Sequence, residues 1–371
     1  MNQTAGSHSP LSSDACVVVT GGAGFIGCNL ADRLAADGHR VRIVDALLRP
    51  GVEQNVRWLR ARHPDRIEHS ATRIEDRPAL TKALDKAAAV FHLAAQVAVT
   101  SSLDDPDTDF ATNVVGTLNI LETLRRAPTA VPMIFASTNK VYGDLGGLAV
   151  QIQDDRWTPT DQRVADSGID ERWPIAFHTP YGCSKGAADQ YVLDYARSFG
   201  LPATVLRMSC IFGARQLGTE DQGWVAHFAL RALSGEPITI YGDGRQVRDV
   251  LDVGDAVDCY IAAWRNIDSV AGRPLNLGGG PENAVSLLQV IAALEQLIGR
   301  TIEVRFADWR ASDQRYFVTD ARRVRADLGL APPRPWRDGL RNLLGLLSDR
   351  HPNEQRAAGT VWAAPAGGVA R

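Results

Sequence analysis

The chain has 371 residues, 22% of them charged and 45% hydrophobic, with a formal net charge of −3. That length exceeds a single dinucleotide-binding unit and leaves room for a second lobe, and the charge balance lacks the basic footprint of a nucleic-acid binder. Five scattered cysteines, Cys16, Cys28, Cys183, Cys210 and Cys259, have no CxxC spacing, and there is neither a leader-like segment nor a membrane-length apolar run, so a cytoplasmic protein without disulfides, zinc or a membrane partner is expected.

Residues 1–14 are polar and Ser-rich and read as a flexible tail. The β-branched run Cys16 to Thr20 then leads into Gly21-Gly-Ala-Gly24-Phe-Ile-Gly27 and an apolar-periodic segment over 25–36. This is strand, tight turn, helix, with a separate job for each glycine: Gly21 permits the turn, Gly24 lets a pyrophosphate approach, and Gly27 allows helix to pack on strand. The helix N-terminus would face the phosphates. A second strand, 41–45, ends in Asp45, at the distance expected of a carboxylate that accepts hydrogen bonds from an adenosine ribose. Such a carboxylate repels the extra phosphate of NADP. Arg49 is the counter-signal, either beside a 2′-phosphate or a loop residue near the adenosine; NAD is the cofactor expected.

Strands near 67–70, 89–93, 132–137 and 203–207 alternate with helical patterns at 53–62, 78–87, 107–126 and 181–199. That spacing predicts an α/β fold with a Rossmann-type doubly wound parallel sheet over 15–207, to which some later segments return. Polar residues at the carboxyl end of a parallel strand lie where such folds bind ligands, which singles out Ser137 and Thr138 after Met133 to Phe135. Tyr181 stands four residues before Lys185 at the start of a helical pattern, so both share one face. A phenol has a pKa of about 10 and needs a fixed cation to serve as a base near neutrality. Lys185 is the candidate cation, and Thr138, Tyr181 and Lys185 form a candidate catalytic triad.

Beyond residue 208 the pattern shortens, with helices near 223–234, 286–298 and 336–347. A smaller C-terminal substrate-binding lobe is expected over 208–350, followed by a tail rich in Ala, Gly and Pro over 351–371. The Asp-, Arg-, Pro- and Trp-containing insert between Tyr142 and Tyr181 is expected to shape the substrate pocket or form a lid. His92, His178 and His227 fall in different segments without ligand spacing, so they read as structural and no metal is expected.

TGGAGFIG, HLAA at 92–95, NVVGTLNILE at 113–122, STNKVYG and PYGCSK occur in this order, and the chain from about 17 to 347 thereby resembles the extended short-chain dehydrogenase/reductase family. The resemblance implies that Phe25, Ile26, Ile74, Leu93, Ala94 and Ala95 complete the NAD site, with Lys185 on the nicotinamide ribose. It also implies a nucleotide-sugar substrate held by Gln96, Asn139, Lys140, Arg215, Gln222, Arg248 and Arg310. The two last arginines would take the diphosphate, for which paired guanidinium hydrogen bonds are well suited. A homodimer or homotetramer through the apolar faces of helices 107–126 and 181–199 is implied as well.

Within the family, STNKVYGDL, HTPYGCSKGAADQYV, GARQLGTEDQGWV and YGDGRQVRDVL are most similar to the CDP-paratose 2-epimerase (CDP-tyvelose 2-epimerase) group. The implied activity is NAD-dependent epimerisation at carbon 2 of a CDP-hexose or CDP-dideoxyhexose through a 2-keto intermediate. Dehydratases of the family place an Asp-Glu pair after the threonine, and Asn139 and Lys140 cannot do that pair's work. Two other readings stay open: an epimerase acting at carbon 4 or on a UDP-, GDP- or dTDP-sugar, and a catalytically silent NAD-binding regulator. The chain departs from the family at Thr72-Arg73-Ile74, which lacks the usual carboxylate for the adenine, and at Cys210, where many relatives carry asparagine. Arg73 would either stack on the adenine or point outward.

Overall fold

Val17 and Val19 point to one side of their strand and Val18 to the other, and all three are fully buried, so the strand must lie in a sheet covered on both faces. In the computed structural model, which describes residues 16–310 and 312–357, that sheet has seven parallel strands. Their spatial order is Pro274–Leu277, Ala203–Met208, Met133–Thr138, Ala87–His92, Cys16–Thr20, Val41–Val44 and Ile67–Ser70. One face packs on helices Phe25–Ala36 and Val253–Arg265, the other on helices Gly116–Arg125 and Thr179–Phe199. This is the doubly wound α/β fold expected, with strand Pro274–Leu277 supplied from far along the chain.

A third core lies under helices Trp224–Ser234, Leu287–Ile298 and Trp336–Ala357 and builds the smaller lobe. The last of these runs past its expected end at 347. Residues 1–14 of the expected N-terminal tail, and the C-terminal tail from 358, lie outside the described residues.

Several elements differ from expectation, among them short helices such as Val99–Asp104 and Arg322–Leu328 that were not foreseen. The helix expected over 107–126 is broken: Pro106–Phe110 and Gly116–Arg125 are α-helical, and Ala111–Val115 forms a wider π turn. Helix Val253–Arg265 was not foreseen, although Asp252 caps it by accepting from Gly254 N–H at 2.8 Å. The insert after Tyr142 forms a hairpin, Val150–Gln153 with Arg156–Pro159, whose turn residues Asp154 and Asp155 both have positive φ. Helix Gln162–Ser167 follows, and Leu148, Val150 and Val164 pack against Tyr316 and Val318.

Candidate active site

One cleft of about 840 Å³ runs from the glycine turn to the smaller lobe. Of the candidate catalytic and binding residues, Gln96 alone does not line it: its side chain donates to Ala98 O at 3.0 Å. No residue from 141 to 180 lines it either, so the insert does not shape this pocket; it buttresses the far side of the lobe.

At the dinucleotide end the backbone is tightly constrained. Gly21 has φ +69°, and a Cβ there would come within 2.6 Å of Ala94 N, while a Cβ on Gly27 would drive into Gly21 O. The turn is pinned from two sides. Ala23 N–H donates to Asp45 Oδ2 at 3.0 Å, and Ala23 O accepts from Asn55 Nδ2 at 2.9 Å. The other Asp45 oxygen accepts from Leu47 N–H at 2.9 Å. Leu93, Ala94 and Ala95 continue the wall beyond strand Ala87–His92, and buried Ile74 closes the side near Gly116. Arg49 is exposed in the loop after Asp45, and Arg73, also exposed, pairs with Glu75 at 3.3 Å. A cradle closed to any Cβ, facing a helix N-terminus and a carboxylate, fits the diphosphate and ribose of NAD.

At the centre, Thr138 ends its strand near the Tyr181 phenol, and its hydroxyl donates to Asn139 Oδ1 at 3.3 Å and accepts from Lys140 N–H at 3.2 Å. Helix Thr179–Phe199 presents Tyr181 and Lys185 one turn apart, both buried. Its start is fixed by Tyr181 N–H donating to Ser102 Oγ at 3.1 Å, and Thr179 just before holds the left-handed φ of 62°, rare for a β-branched residue. Burial pushes the Tyr181 phenol up to about 12, against the lowering contact with Thr138. Burial likewise brings Lys185 down to about 7, opposed by the carboxylates of Asp189 and Asp109. The ammonium lies 4.2 Å from the Phe135 ring centroid. Both groups are thus shifted toward their neutral forms, opposite to the direction expected of a phenolate–ammonium pair.

Sequence reasoning missed the scaffold beneath. Arg207 and Asp189, both buried, pair through two hydrogen bonds of 2.9 and 2.8 Å, and Ser137 Oγ donates to the same carboxylate at 2.7 Å. In the π turn, Asn113 Nδ2 lies within hydrogen-bond distance of Gln96 O, Asp109 Oδ1 and Ser184 Oγ at 3.1, 3.1 and 2.9 Å, three acceptors that share its two protons. Its Oδ1 accepts from Gln96 N–H at 2.9 Å, so one amide ties the wall to the helix of Tyr181. His92 is fully buried between Thr20 and Thr117, and burial lowers its pKa far enough to keep it neutral. That makes it a structural histidine; His227 does line the cleft.

At the far end the charged side chains converge. Arg248 pairs with Asp313 at 2.7 Å, and Lys140 Nζ donates to Ser312 O at 3.3 Å. Arg310 donates twice to Glu220 O at 3.1 Å, meets Asp221 at 3.4 Å and stacks on the Tyr241 ring at 4.0 Å. Asn139 and Gln222 line the same stretch. Cys210 Sγ accepts from the Trp224 indole at 3.4 Å, and burial raises its thiol pKa. Arg215 lines the cleft but turns toward the dinucleotide end, where Nε donates to Asn55 Oδ1 at 2.9 Å. Among the described residues, no group of three or more His, Cys, Asp or Glu could hold a metal, and no helix is long and apolar enough to cross a membrane.

The chain is similar to known proteins in sequence and fold. The CDP-paratose 2-epimerase of Salmonella typhi is 40% identical over 336 residues, covering 88% of this chain and 97% of that protein. The UDP-glucose 4-epimerase of Thermotoga maritima, solved with UDP-glucose, superposes with a TM-score of 0.77 at 29% identity, covering 90% of this chain and 99% of that one. The Thermus thermophilus UDP-glucose 4-epimerase, solved with NAD, gives 0.75 at 30% identity over 90% and 98% of the two chains. Residues 17–278 match the NAD dependent epimerase/dehydratase family, and the chain is an NAD-dependent nucleotide-sugar enzyme belonging to that family.

Proposed function

We propose that the protein inverts carbon 2 of a CDP-activated hexose or dideoxyhexose, of the paratose and tyvelose type, by way of a 2-keto sugar. The observation that carries this reading is the 40% identity, over 97% of its length, to a CDP-paratose 2-epimerase. Asn139 and Lys140 after Thr138 support it, since neither supplies the acid and base that eliminating water would need. When bound, NAD supplies a reversible hydride acceptor and a positive ring charge. Tyr181 takes the sugar hydroxyl proton while Thr138 orients that hydroxyl, and Lys185 holds the nicotinamide ribose. Tyr181 then returns the proton once the keto sugar has presented its other face. Gln222, Arg248 and Arg310 hold the diphosphate arm, with Asn139 and Lys140 nearer the sugar. Net redox change is zero, so a silent NAD-binding scaffold would have no use for the intact triad.

The test is turnover of a panel of CDP-, UDP-, GDP- and dTDP-sugars in deuterium oxide, read by NMR. Inversion at carbon 2 of a CDP-sugar is expected, without deuterium at that centre, because the migrating hydrogen never becomes an exchangeable proton. Solvent deuterium there sinks the hydride route; inversion at carbon 4, or of another nucleotide's sugar, replaces the substrate.

We further propose a cytoplasmic homodimer or homotetramer. Five scattered cysteines without CxxC spacing suit a reducing compartment. Leu103, Phe110, Val115 and Tyr191 leave an apolar patch exposed on the helices over 99–125 and 179–199. Light scattering should give at least a dimer at micromolar concentration; a monomer counts against it.

A further inference from the structure

We infer that Arg215 retains the cofactor: it is the clasp of a strap that the smaller lobe throws across the dinucleotide end of the cleft. The strap, residues 213–217, follows strand Cys210–Phe212, to which Gln216 Nε2 donates back at Ile211 O, yet Ala214, Arg215 and Leu217 make contacts on the other lobe. Ala214 O accepts from Asn29 Nδ2 on helix Phe25–Ala36 at 2.9 Å. The Arg215 guanidinium stacks 4.1 Å from the Trp58 ring centroid and its Nε donates to Asn55 Oδ1. Leu217 packs close to Gly51, where an added Cβ would meet its Cδ1 at 3.1 Å.

Asn55 makes this more than packing. It is buried, and its amide spends the oxygen on Arg215 and the nitrogen on Ala23 O in the glycine turn, so one side chain bolts the strap to the turn that cradles the diphosphate. Arg215, Gln216 and Leu217 line the same cleft as Gly24, Phe25 and Val52, so a dinucleotide seated at the glycine turn would meet the strap. A guanidinium held by cation–π stacking and a hydrogen bond gives such a strap both a fixed geometry and a positive charge near the phosphates. Its left-handed φ of 64° shows the backbone bent to reach the partner lobe. The strap also continues into Glu220 and Asp221, the partners of Arg310, so it spans both ends of the cleft. Retention suits an enzyme whose hydride must return to the sugar it left, because a released reduced cofactor strands the keto sugar.

Two variants of the full-length enzyme test this. Arg215→Asn removes the guanidinium while keeping a residue that tolerates positive φ. Trp58→Leu acts from outside the cleft, since Trp58 does not line it. The readouts are dinucleotide released on denaturing the purified protein and the rate at which bound NAD exchanges with labelled NAD, with thermal melts in excess NAD as the folding control. Both variants should exchange NAD at least tenfold faster than the parent, and Arg215→Lys should fall between. Nucleotide-sugar affinity, measured at saturating NAD, should shift by less than about twofold. Unchanged exchange in a folded Arg215→Asn protein overturns the inference; unchanged exchange with weakened nucleotide-sugar binding makes Arg215 a substrate contact instead. Neither readout depends on which sugar is turned over.

Discussion

At the dinucleotide end of the cleft the contacts come from backbone with no room to move, with Gly21 and Gly27 packed against carbonyls and amides and Ala23 pinned by Asp45 and Asn55. At the nucleotide-sugar end they come from long side chains that already have partners: Arg248 on Asp313, Arg310 on Glu220 and Tyr241, Lys140 on Ser312 O. A cradle of backbone changes only by refolding the turn, whereas paired side chains trade one anion for another. The first end therefore suits one invariant cofactor and the second suits substrates that differ between relatives.

Mutation should separate the ends, with the largest effect where they meet. Tyr181→Phe is expected to lower kcat about 1,000-fold, with the nucleotide sugar bound as tightly by calorimetry; near-normal turnover would move the base elsewhere. Gly27→Ala should cost about 2 kcal/mol of stability, the overpacking range, and yield protein without dinucleotide, checked by melting and by assaying the denatured supernatant. Arg310→Ala should raise the KM for the nucleotide sugar about tenfold, a loss of one charge-assisted contact, with the NAD content unchanged. Equal loss of cofactor in both variants would erase the distinction.

A further effect is in pH. Lys185 sits near 7 when folded, far below a free lysine, so above that value the unfolded chain binds the extra proton. In protein stripped of NAD this group should make stability rise with pH from about 7 toward 10. Tyr181 acts in the opposite sense only above about 10, where the unfolded phenol ionises first and its folded counterpart, near 12, does not. Melting curves across this range, compared with Lys185→Met, should show the rise in the parent alone.

What the sequence made legible follows the same division. The glycine spacing, Asp45 and the four-residue step from Tyr181 to Lys185 are local patterns, and each lands in the cleft. The Arg207–Asp189 pair joins a strand to a helix, and neither residue's neighbours mark it as buried. Asn113 gains its four contacts through a π turn that helical periodicity does not signal. The insert's composition suggested a pocket wall, but a hairpin's destination depends on which edge accepts it. Helix Val253–Arg265 was more accessible, since Asp252 is a capping residue directly before an amphipathic run. The direction of the Tyr181 and Lys185 shifts depends on desolvation, which spacing alone does not carry.

Asp45 holds the glycine turn and the loop at Leu47 with its two oxygens, and it lines the cleft where the proposed reading seats the ribose. A substitution chosen to admit NADP would remove a specificity filter and, in the same stroke, the brace of the turn that seats the diphosphate. Cofactor preference in this chain is thus locked against single-step drift: an engineer, or evolution, would have to rebuild the support at Ala23 before the new phosphate could be welcomed.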